Sequence, residues 1–484
     1  MILSRAQMLQ AESLAFSHGH SPEELMELAG IQMARLVQQF HPTPGVCRVF
    51  FGKGHNGGDV LVAARHLAAV GWQITLEDIF ARADLAPLTA LQLSRLPEQS
   101  STSRCRPLVV LDGILGIGTR GDPSPPVAEA INRIRALRTQ EGAWVLSADL
   151  PSGLTESGPG NPCVMADATI TMGFAKSCVL SDSATNFVGR LSVAGLPPLV
   201  APPDADAAEI LTAESLRHIL PPRPFDMHKG LCGRVGIIAG SRHFPGAARL
   251  CSAAAVKSGA GLVTLFVPPD VAPLLATSAI PEVMISPISD FRELIDKPFH
   301  SFAIGPGISR ERDDMVRDFI IHCPTPCVVD ADALNAISGH THLLKECAGP
   351  RLLTPHPLEM ERLSPQNGRT RREWVSRFTS DFPVTLLLKG SRTIIAKNAS
   401  PLAYNTTGHP GMASGGMGDV LTGVCAALIA QGKSPIDSAK IGAWICGYAA
   451  ESALRTGQSQ ESLTASDVIT HLGRAFEALR SGAL

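Results

Sequence analysis

Apolar runs of strand length alternate with runs of helix length along nearly all of this chain. In the first half the predicted helices cover 59–70 and 126–138, and the predicted strands are CRVFF, QITLEDI, PLVVLD, AWVLSAD and ATITMGF. In the second half the predicted helices cover 418–431, 435–456 and a run from Ser466. The predicted strands, which come before them, are RVGIIAG, GLVTLFVP, SFAIGPG, PCVVDADA, RLLTPH, VTLLLKG and RTIIAKN. This alternation predicts an α/β fold class, with βαβ units and largely parallel sheets.

A change of composition separates the two series. The segment GLPPLVAPPDADAAEILTAESL is rich in Pro, Ala and Asp, which is typical of a domain boundary near 200–222. A chain of 484 residues is also longer than one ordinary core requires. The two series share no detectable repeat, so the sequence predicts two unlike domains.

The overall composition favours a compact soluble enzyme. Apolar residues make up 45% and charged residues 18%, with a net charge of −2, so neither a nucleic acid nor a membrane surface is an expected partner. No apolar run reaches the roughly 18 residues that span a bilayer. The 11 cysteines are scattered without a CxxC pair, and no signal-peptide pattern opens the chain. We therefore expect a cytoplasmic protein with reduced thiols.

The segment GKGHNGGD, after CRVFF, fits the glycine pattern of a dinucleotide-binding turn. Gly52–Gly57 reads GxGxxG, and Glu77 lies 20 positions after Gly57, where such folds place an acid on a ribose. Asp59 stands just before VLVAARHL and is also placed to cap that helix. However, HNGGD carries more polar groups than a cofactor cradle requires, which leaves open whether a bound dinucleotide is a cofactor or a substrate.

Polar residues follow three predicted strands of the first half. Asn56 comes after CRVFF, Asp112 ends PLVVLD, and Asp149 and Ser152 follow AWVLS. Because ligands of parallel sheets bind beyond the carboxyl ends of the strands, we expect these residues to converge on one crevice. Their oxygen atoms suit a hard or alkali cation.

In the second half, glycines at 415, 416 and 418 precede a long apolar helix that carries Asp419 in its first turn. Backbone N–H groups and the helix dipole would favour a transferring phosphoryl group there, and Asp419 would accept the proton of an attacking hydroxyl. Lys389 and Thr393 follow the strand LLL and are placed to contact a nucleotide phosphate. His356, between two prolines at a predicted strand end, is placed to touch a substrate.

Four motifs of the first half, LMELAG, GKGHNGGDVLVAARHL, VVLDGILGIGTRG and SADLPSGL, resemble the NAD(P)H-hydrate epimerase family in their order. That family interconverts the R and S epimers of nicotinamide dinucleotides hydrated on the ring. The resemblance implies a Rossmann-like three-layer α/β/α domain over 1–205, with Asp149 as the catalytic acid/base and a potassium ion on Asn56, Asp112 and Ser152. The substrate-binding residues that it implies are His55, Asn56, Gly57, Gly58, Asp59, Gly116, Ile117, Gly118, Thr119, Arg120, Gly121, Asp122 and Asp149. The dinucleotide is then the substrate rather than a cofactor.

Two residues depart from that family's pattern. His55 replaces a more usual Asn, and Arg120 stands where some members carry Lys. Arginine is a poor proton donor, so the exchange bears on turnover if that Lys is catalytic.

The second half resembles the ribokinase-like ADP-dependent NAD(P)H-hydrate dehydratases through HKGLCGRVGIIAGSRHFPGAARL, SGAGLVTL, IGPGI, VVDADALN, TPHPLEMERL, LLKGSRT and GGMGDVLTG. The resemblance implies a linker over 206–224, a ribokinase-like domain over 225–484, ADP as co-substrate and Mg²⁺ as cofactor. It implies that the hydrated dinucleotide contacts Ala247, Gly307, His356 and the catalytic Asp419. The nucleotide-binding residues that it implies are Lys389, Gly390, Ser391, Arg392, Thr393 and Gly418. Leu358 and Ser309 stand where many members have Gly.

Together the resemblances imply a bifunctional repair enzyme for hydrated NADH and NADPH that forms a homo-oligomer. A second interpretation is a small-molecule kinase of hydroxymethylpyrimidine or sugar type with a Rossmann-like regulatory domain, which would consume ATP and release a stable phosphorylated product. A third is that the first domain is a nucleotide-binding module without turnover, for which Arg120 is the sequence hint.

Overall fold

The computed structural model describes residues 1–97 and 106–484. Two compact units make up this part of the chain, one of Met1–Ala207 with Leu484 and the other of Ala208–Ala483. Each unit is built on a largely parallel sheet, so the predicted α/β class with two domains is confirmed.

The N-terminal unit has a parallel six-stranded sheet in the order β10-β8-β5-β4-β2-β3. The described strands are β1 (Ile2–Leu3), β2 (Val46–Phe51), β3 (Gln73–Asp78), β4 (Leu108–Gly113), β5 (Trp144–Ala148), β6 (Leu154–Thr155), β7 (Gly158–Pro159), β8 (Ala168–Met172), β9 (Ala175–Lys176) and β10 (Arg190–Ala194). The α-helices are α1 (Arg5–Ser17), α2 (Pro22–Phe40), α3 (His55–Ala69), α4 (Pro87–Ser94), α5 (Pro125–Glu141) and α6 (Thr185–Val188). The strand order reverses between β2 and β4, and a crevice for ligands is expected at that point.

Helix α2 begins at Pro22, directly after its capping residue Ser21. Ser21 caps it by accepting the N–H of Glu24 at 3.1 Å, and Pro22 occupies the first turn, where its missing N–H costs nothing. Its apolar face, with Leu25, Ala29, Met33, Leu36 and Val37, is buried in the core that α2 and α3 share. This packing fixes α3 and therefore the loop that precedes it.

Helix α3 begins at His55, four residues earlier than predicted, with Gly54 as its N-cap. Asp59 therefore lies inside the helix, and the capping role predicted for it is wrong. The glycines before it are needed for close packing, since a Cβ on Gly57 would lie 2.2 Å from Gly52 O and one on Gly58 would lie 2.4 Å from Met26 Cε.

The C-terminal unit has a ten-stranded sheet in the order β11-β20-β19-β18-β17-β16-β15-β12-β13-β14, in which β19 alone runs opposite to its neighbours. Its strands are β11 (Glu209–Leu211), β12 (Arg234–Ile238), β13 (Leu262–Val267), β14 (Val283–Pro287), β15 (Ser301–Ile304), β16 (Cys327–Val329), β17 (Arg351–Leu353), β18 (Thr385–Leu388), β19 (Ile394–Lys397) and β20 (Ala403–Asn405). Its α-helices are α7 (Ala213–Leu216), α8 (Pro245–Lys257), α9 (Ala272–Ala276), α10 (Asp313–His322), α11 (Ala331–Ile337), α12 (Pro357–Leu363), α13 (Arg371–Asp381), α14 (Met417–Ala430), α15 (Pro435–Arg455) and α16 (Ala465–Ser481).

Helix α14 is the central helix of this unit. Gly416 caps it with a φ of 89°, a left-handed conformation that glycine adopts without strain. Every residue from Val420 to Ala430 is buried, and the helix packs against α8, α15 and β15. Because it is apolar on all sides, its position is fixed by the core, and its first turn is held rigidly at the sheet edge.

The segment predicted as a linker, 206–224, is structured. Glu209–Leu211 forms β11, which pairs in parallel with β20, and α7 follows it directly. The Pro-rich composition thus indicates where the boundary between the units lies. It does not reveal that β11 follows this boundary directly. None of the described helices is long and apolar enough to cross a membrane.

Candidate functional site

Asn56, Asp112 and Ser152 come together at the reversal point of the N-terminal sheet. Ser152 donates from Oγ to Asp112 Oδ1 at 2.5 Å and from its backbone N–H to Oδ2 at 2.9 Å. Asn56 donates from Nδ2 to Leu115 O at 2.6 Å, and the N–H of Leu115 donates to Ser152 Oγ at 3.0 Å. The three polar residues of separate strand ends are therefore one connected cluster.

Asp112 is fully buried, and burial raises the pKa of its carboxyl, while hydrogen bonds from Ser152, Ser147 and the N–H of Ile114 oppose that shift. All of these donors are neutral, so within 1–97 and 106–484 the carboxylate has no cationic side chain as a hydrogen-bond partner. A buried carboxylate beside hydroxyl and amide oxygens fits a monovalent cation, which would supply the missing charge.

Asp149 follows β5 in a left-handed conformation with a φ of 62°, which is uncommon for a residue with a side chain. Its Oδ1 accepts from the ammonium of Lys176 and from the N–H of Met172, the latter at 3.2 Å. Lys176 is the residue that sequence reasoning missed. It lies in the two-residue strand β9, 27 positions after Asp149, and no motif singles it out.

Two further carboxyls belong to the surroundings of Asp149. The pKa of the Asp59 carboxyl is raised well above its usual range, first by burial and then by the nearby charges of Asp149 and Glu12. Burial likewise raises the pKa of Glu12, which extends from α1. The site thus combines one buried ion pair with carboxyls whose neutral form is favoured.

The remaining residues predicted to bind substrate line the loops around this cluster. His55 is exposed at the first position of α3, and the N–H groups of Gly57 and Gly58 donate to Gly54 O. His55 and Asn56 are therefore the first-turn residues whose N–H groups are placed to meet an anion.

The second substrate loop, 116–122, begins against this turn, since a Cβ on Gly116 would lie 3.4 Å from Asn56 Cβ. Ile117 and Thr119 are half-buried, whereas Gly118, Arg120 and Gly121 are exposed. Asp122, also exposed, accepts the N–H of Asn161 at 3.2 Å.

Glu77 does not serve the role that the glycine pattern predicts. Its buried carboxylate forms ion pairs with Arg48 and Arg133, and Arg48 Nε donates to it at 2.7 Å. An acid already paired with two guanidinium groups is a structural residue, so the ribose contact predicted from the spacing is wrong.

In the C-terminal unit, Asp419 lies in the first turn of α14, as predicted. Burial and the neighbouring carboxylate of Asp330 raise the pKa of Asp419 to about 7, although Lys389 opposes the shift. A carboxyl with a pKa near neutrality suits a general base, because it is ionised in part and still basic enough to take a proton.

Asp330, at the end of β16, is the second buried carboxyl of this site. Its Oδ1 accepts from Lys389 Nζ at 2.8 Å and its Oδ2 from Thr422 Oγ1 at 2.8 Å. Burial alone would raise the pKa of Asp330, but the charge and hydrogen bond of Lys389, together with hydrogen bonds from Thr422 and Thr354, lower it. The pKa values of Asp330 and Asp419 are therefore shifted in opposite directions. One site thus contains a permanently charged carboxylate next to a carboxyl that can act as a base.

His356 lies three residues after β17 and caps α12. It accepts the N–H of Glu359 on Nδ1 at 3.2 Å, while Glu359 accepts the His356 N–H on Oε2 at 2.8 Å. The same Oε2 lies 3.7 Å from Lys389 Nζ. Glu359 thus connects the predicted substrate histidine to the predicted nucleotide-binding lysine, a link that the sequence analysis did not single out.

Two of the predicted nucleotide-binding residues, Lys389 and Gly418, meet at the N-terminus of α14. A Cβ on Gly418 would lie 3.1 Å from Lys389 Nζ, so the two residues are in contact. The loop after β18 turns at Gly390 with a φ of 144° and at Arg392 with a φ of 53°, and Thr393 Oγ1 donates to Gly390 O at 3.1 Å. Arg371, from α13, donates to Ser391 O at 3.0 Å and was not predicted.

Gly307 and Ala247 are adjacent, since a Cβ on Gly307 would lie 3.0 Å from Ala247 Cβ and 2.7 Å from Phe244 Cβ. Gly307 has a φ of 63° and Ser309 a φ of 66°. The left-handed backbone explains why glycine is common at position 309, and the Asp332 carboxylate, which accepts the Ser309 N–H at 3.0 Å, holds the serine there.

The two sheets define the class of the protein: a Rossmann-like domain joined to a ribokinase-like domain. The family model described as NAD(P)H-hydrate dehydratase matches residues 235–472, and the one described as YjeF-related protein N-terminus matches residues 22–178.

Curated relatives match along the whole chain. The bifunctional NAD(P)H-hydrate repair enzyme Nnr of Moorella thermoacetica is 35% identical over 97% of this chain and 96% of its own. The enzyme of the same name from Coxiella burnetii is 32% identical over 98% of each. The chain belongs to the family of bifunctional NAD(P)H-hydrate repair enzymes.

Among solved structures, the ADP/ATP-dependent NAD(P)H-hydrate dehydratase of Bacillus subtilis, co-crystallised with ATP and Mg²⁺, is similar with a TM-score of 0.51 and 27% identity. The match covers 57% of this chain and 100% of that one. These similarities favour the repair enzyme over the small-molecule kinase.

Proposed function

We propose that this chain interconverts the R and S epimers of hydrated NADH and NADPH in its N-terminal unit and dehydrates the S epimer in its C-terminal unit, converting ADP to AMP and phosphate. The observation that carries the dehydratase half is the pair of unlike carboxyls, Asp419 with a pKa of about 7 and Asp330 held ionised by Lys389. Family membership supports both halves.

In the dehydratase half, Asp419 takes the proton of the ring hydroxyl as that oxygen attacks the terminal phosphorus of the nucleotide. The bond from phosphorus to the bridging oxygen breaks, and AMP leaves. The lone pair of the ring nitrogen then breaks the carbon–oxygen bond of the phosphate ester, and phosphate leaves. Loss of a proton from the neighbouring carbon restores the double bond. Hydroxide leaves poorly and phosphate readily, which is why a kinase-like site serves a dehydration.

Lys389, Gly418 and the loop 390–393 would hold the phosphates of the nucleotide. The ammonium and the first-turn N–H groups of α14 meet at one place, where they favour negative charge. Mg²⁺ fits this arrangement, since it is usually bound by one or two carboxylates together with substrate phosphates, and the carboxyls of Asp330, Glu359 and Asp419 all interact with Lys389. When bound, it would neutralise phosphate charge.

In the epimerase half, Asp149 takes the proton of the ring hydroxyl. The oxygen electron pair forms a carbonyl, the bond from that carbon to the ring nitrogen breaks, and the nitrogen is protonated. After rotation the nitrogen attacks the other face of the carbonyl, and both protons return. No atom is gained or lost, so the step needs only a base and a proton donor.

A potassium ion at the edge of this site would be held by Asn56, Asp112 and Ser152. Their oxygen atoms suit such an ion, and it would compensate the charge of the buried Asp112 carboxylate. The ion would supply positive charge close to the dinucleotide.

We also expect the chain to form a homo-oligomer, which the mass in solution would test.

Separate substitutions test the assignment of the two sites. In a mixture of the two epimers with ADP and Mg²⁺, Asp149→Asn should leave the R epimer unconverted while the S epimer is still dehydrated. Asp419→Asn should abolish dehydration while the epimers still interconvert. Each variant is the control for the other, and unchanged rates in both would overturn the assignments.

A further inference from the structure

Lys176 is a buried cation in the N-terminal unit that the reaction described above does not use. Its side chain is 4% exposed and that of Asp149 is 9% exposed. Besides Asp149, its ammonium donates to Thr171 Oγ1 at 3.1 Å and to Met172 O at 3.1 Å. All three of its N–H donors are thus engaged within the protein, so Lys176 acts on Asp149 rather than on a bound molecule.

We propose that Lys176 is the positioning residue of the epimerase site, which fixes one oxygen of Asp149 and directs the other oxygen at the hydrated ring. This inference rests on the proposed epimerase function. It concerns how the base is prepared, which family membership does not state.

The geometry around Asp149 supports this role. Oδ1 is fixed by the Lys176 ammonium and by the N–H of Met172, and Thr171 Oγ1 lies 3.4 Å from it. Oδ2 makes no hydrogen bond within the described residues, so it is the oxygen left to take a proton. The left-handed backbone of Asp149, held by its N–H bond to Ile170 O at 2.8 Å, keeps the carboxylate in this orientation.

The charges that face this ion pair explain why a buried ammonium is needed. Among the described residues, the titratable groups that interact with it are Glu12 on α1, Asp59 on α3 and Cys178 after β9, and His55 interacts in turn with Glu12. Burial raises the pKa of both carboxyls and that of the Cys178 thiol, to about 11 for the thiol. Lys176 is therefore the cation that faces Asp149 among acids whose neutral form burial favours.

This arrangement also bears on Arg120. Arg120 is exposed on the loop 116–122, whereas the contact of Lys176 with Asp149 is buried. If Lys176 prepares the base, epimerisation does not require a lysine at position 120. The exchange to arginine is then compatible with turnover.

The test uses the full chain without ADP, so that dehydration does not occur, and follows conversion of the R into the S epimer by chromatography. Lys176→Met should lower the rate by about 100-fold, within the range typical of general acid–base catalysis. The loss should fall on the turnover number and leave the KM for the R epimer nearly unchanged, since Lys176 contacts Asp149 and not the bound molecule. Arg138→Met is the matched control, because it removes an ion pair with Asp167 elsewhere in the same unit and should leave both constants unchanged.

A wild-type turnover number in Lys176→Met would overturn the positioning role, as would an equal loss in Arg138→Met. Should the Met variant fail to fold, Lys176→Arg decides: the proposal predicts that arginine retains most of the turnover number, and a loss of about 100-fold overturns it. A wild-type chain that does not convert the R epimer would instead overturn the proposed epimerase function, and the positioning role with it. Arg120→Met should retain most of the rate, and a loss as large as that of Lys176→Met would contradict the proposal.

Discussion

Lys389 donates from Nζ to Oδ1 of Asp330 at 2.8 Å, and this ion pair lies beside the carboxyl of Asp419. Because the ammonium binds Asp330 directly, the pKa of Asp330 is lowered and this carboxyl remains charged. The pKa of Asp419, by contrast, is raised to about 7. The dehydratase site therefore contains both an anchored anion and a base, and most of our predictions follow from that difference.

The rate of dehydration should depend on pH through Asp419. The base must be ionised to accept a proton, and burial raises the pKa of Asp419 to about 7. The turnover number at saturating substrate and ADP should therefore rise as pH increases through about 7 and then level off. Steady-state rates on the S epimer between pH 5.5 and 8.5 check this, and a flat profile would contradict the role of Asp419.

Asp419 should also lower the free energy of unfolding at neutral pH. Its pKa is raised from 3.8 in the folded chain, so the folded state retains a proton that the unfolded state loses, and stability falls as pH rises from about 4 to 7. Asp419→Asn should raise the free energy of unfolding at pH 8 by about 1–3 kcal/mol, and by less at pH 5.

Unfolding midpoints of the wild-type and Asp419→Asn chains at these two pH values measure the difference. A gain that is equal at pH 5 and pH 8 would show that the charge is not its source.

Gly418→Ala should weaken nucleotide binding without harming the fold. The added Cβ would lie 3.1 Å from Lys389 Nζ and 3.4 Å from Asp330 Oδ2, where it would displace the ammonium from the phosphates. Alanine is favoured over glycine within a helix, so α14 should remain intact. We expect the dissociation constant for ADP to rise by about tenfold, or about 1.4 kcal/mol.

Calorimetric titration of ADP tests this effect, with Gly473→Ala as the control. Gly473 is also helical, and no atom lies within 4 Å of its added Cβ. Equal affinities in all three chains would contradict the contact between Gly418 and the nucleotide site.

Epimerisation should require potassium, and Asp112 should be the reason. Replacing K⁺ by tetramethylammonium should slow conversion of the R epimer, because the buried Asp112 carboxylate would lack a compensating charge. Asp112→Asn should remove this dependence on K⁺ and leave dehydration of the S epimer unaffected. The two rates, measured with and without K⁺, test the site, and an epimerase rate that is indifferent to K⁺ would exclude it.

Local sequence patterns predicted the strands, the main helices and the residues at strand ends. Alternating apolar runs fix the strands of a parallel sheet, and the switch point then brings Asn56, Asp112 and Ser152 together, as expected from β2, β4 and β5. The first turn of α14 could be predicted for the same reason, since a glycine cluster before an apolar helix places Asp419.

What the sequence did not reveal depends on contacts between distant segments. Lys176 meets Asp149 across 27 residues from a strand of only two residues, and Glu359 of α12 meets Lys389, which follows β18. Glu77 shows the reverse error, since its spacing fits a ribose contact but two arginines from other elements bind it. Such pairs are set by tertiary packing, which no local pattern encodes.

The most direct test of the account is the stoichiometry of the complete reaction. A mixture of R and S hydrated NADH should be converted to NADH by the wild-type chain with ADP, K⁺ and Mg²⁺. The account predicts that both epimers are consumed, with one AMP and one phosphate formed for each NADH. A stable phosphorylated dinucleotide that accumulates without NADH or free phosphate would contradict it.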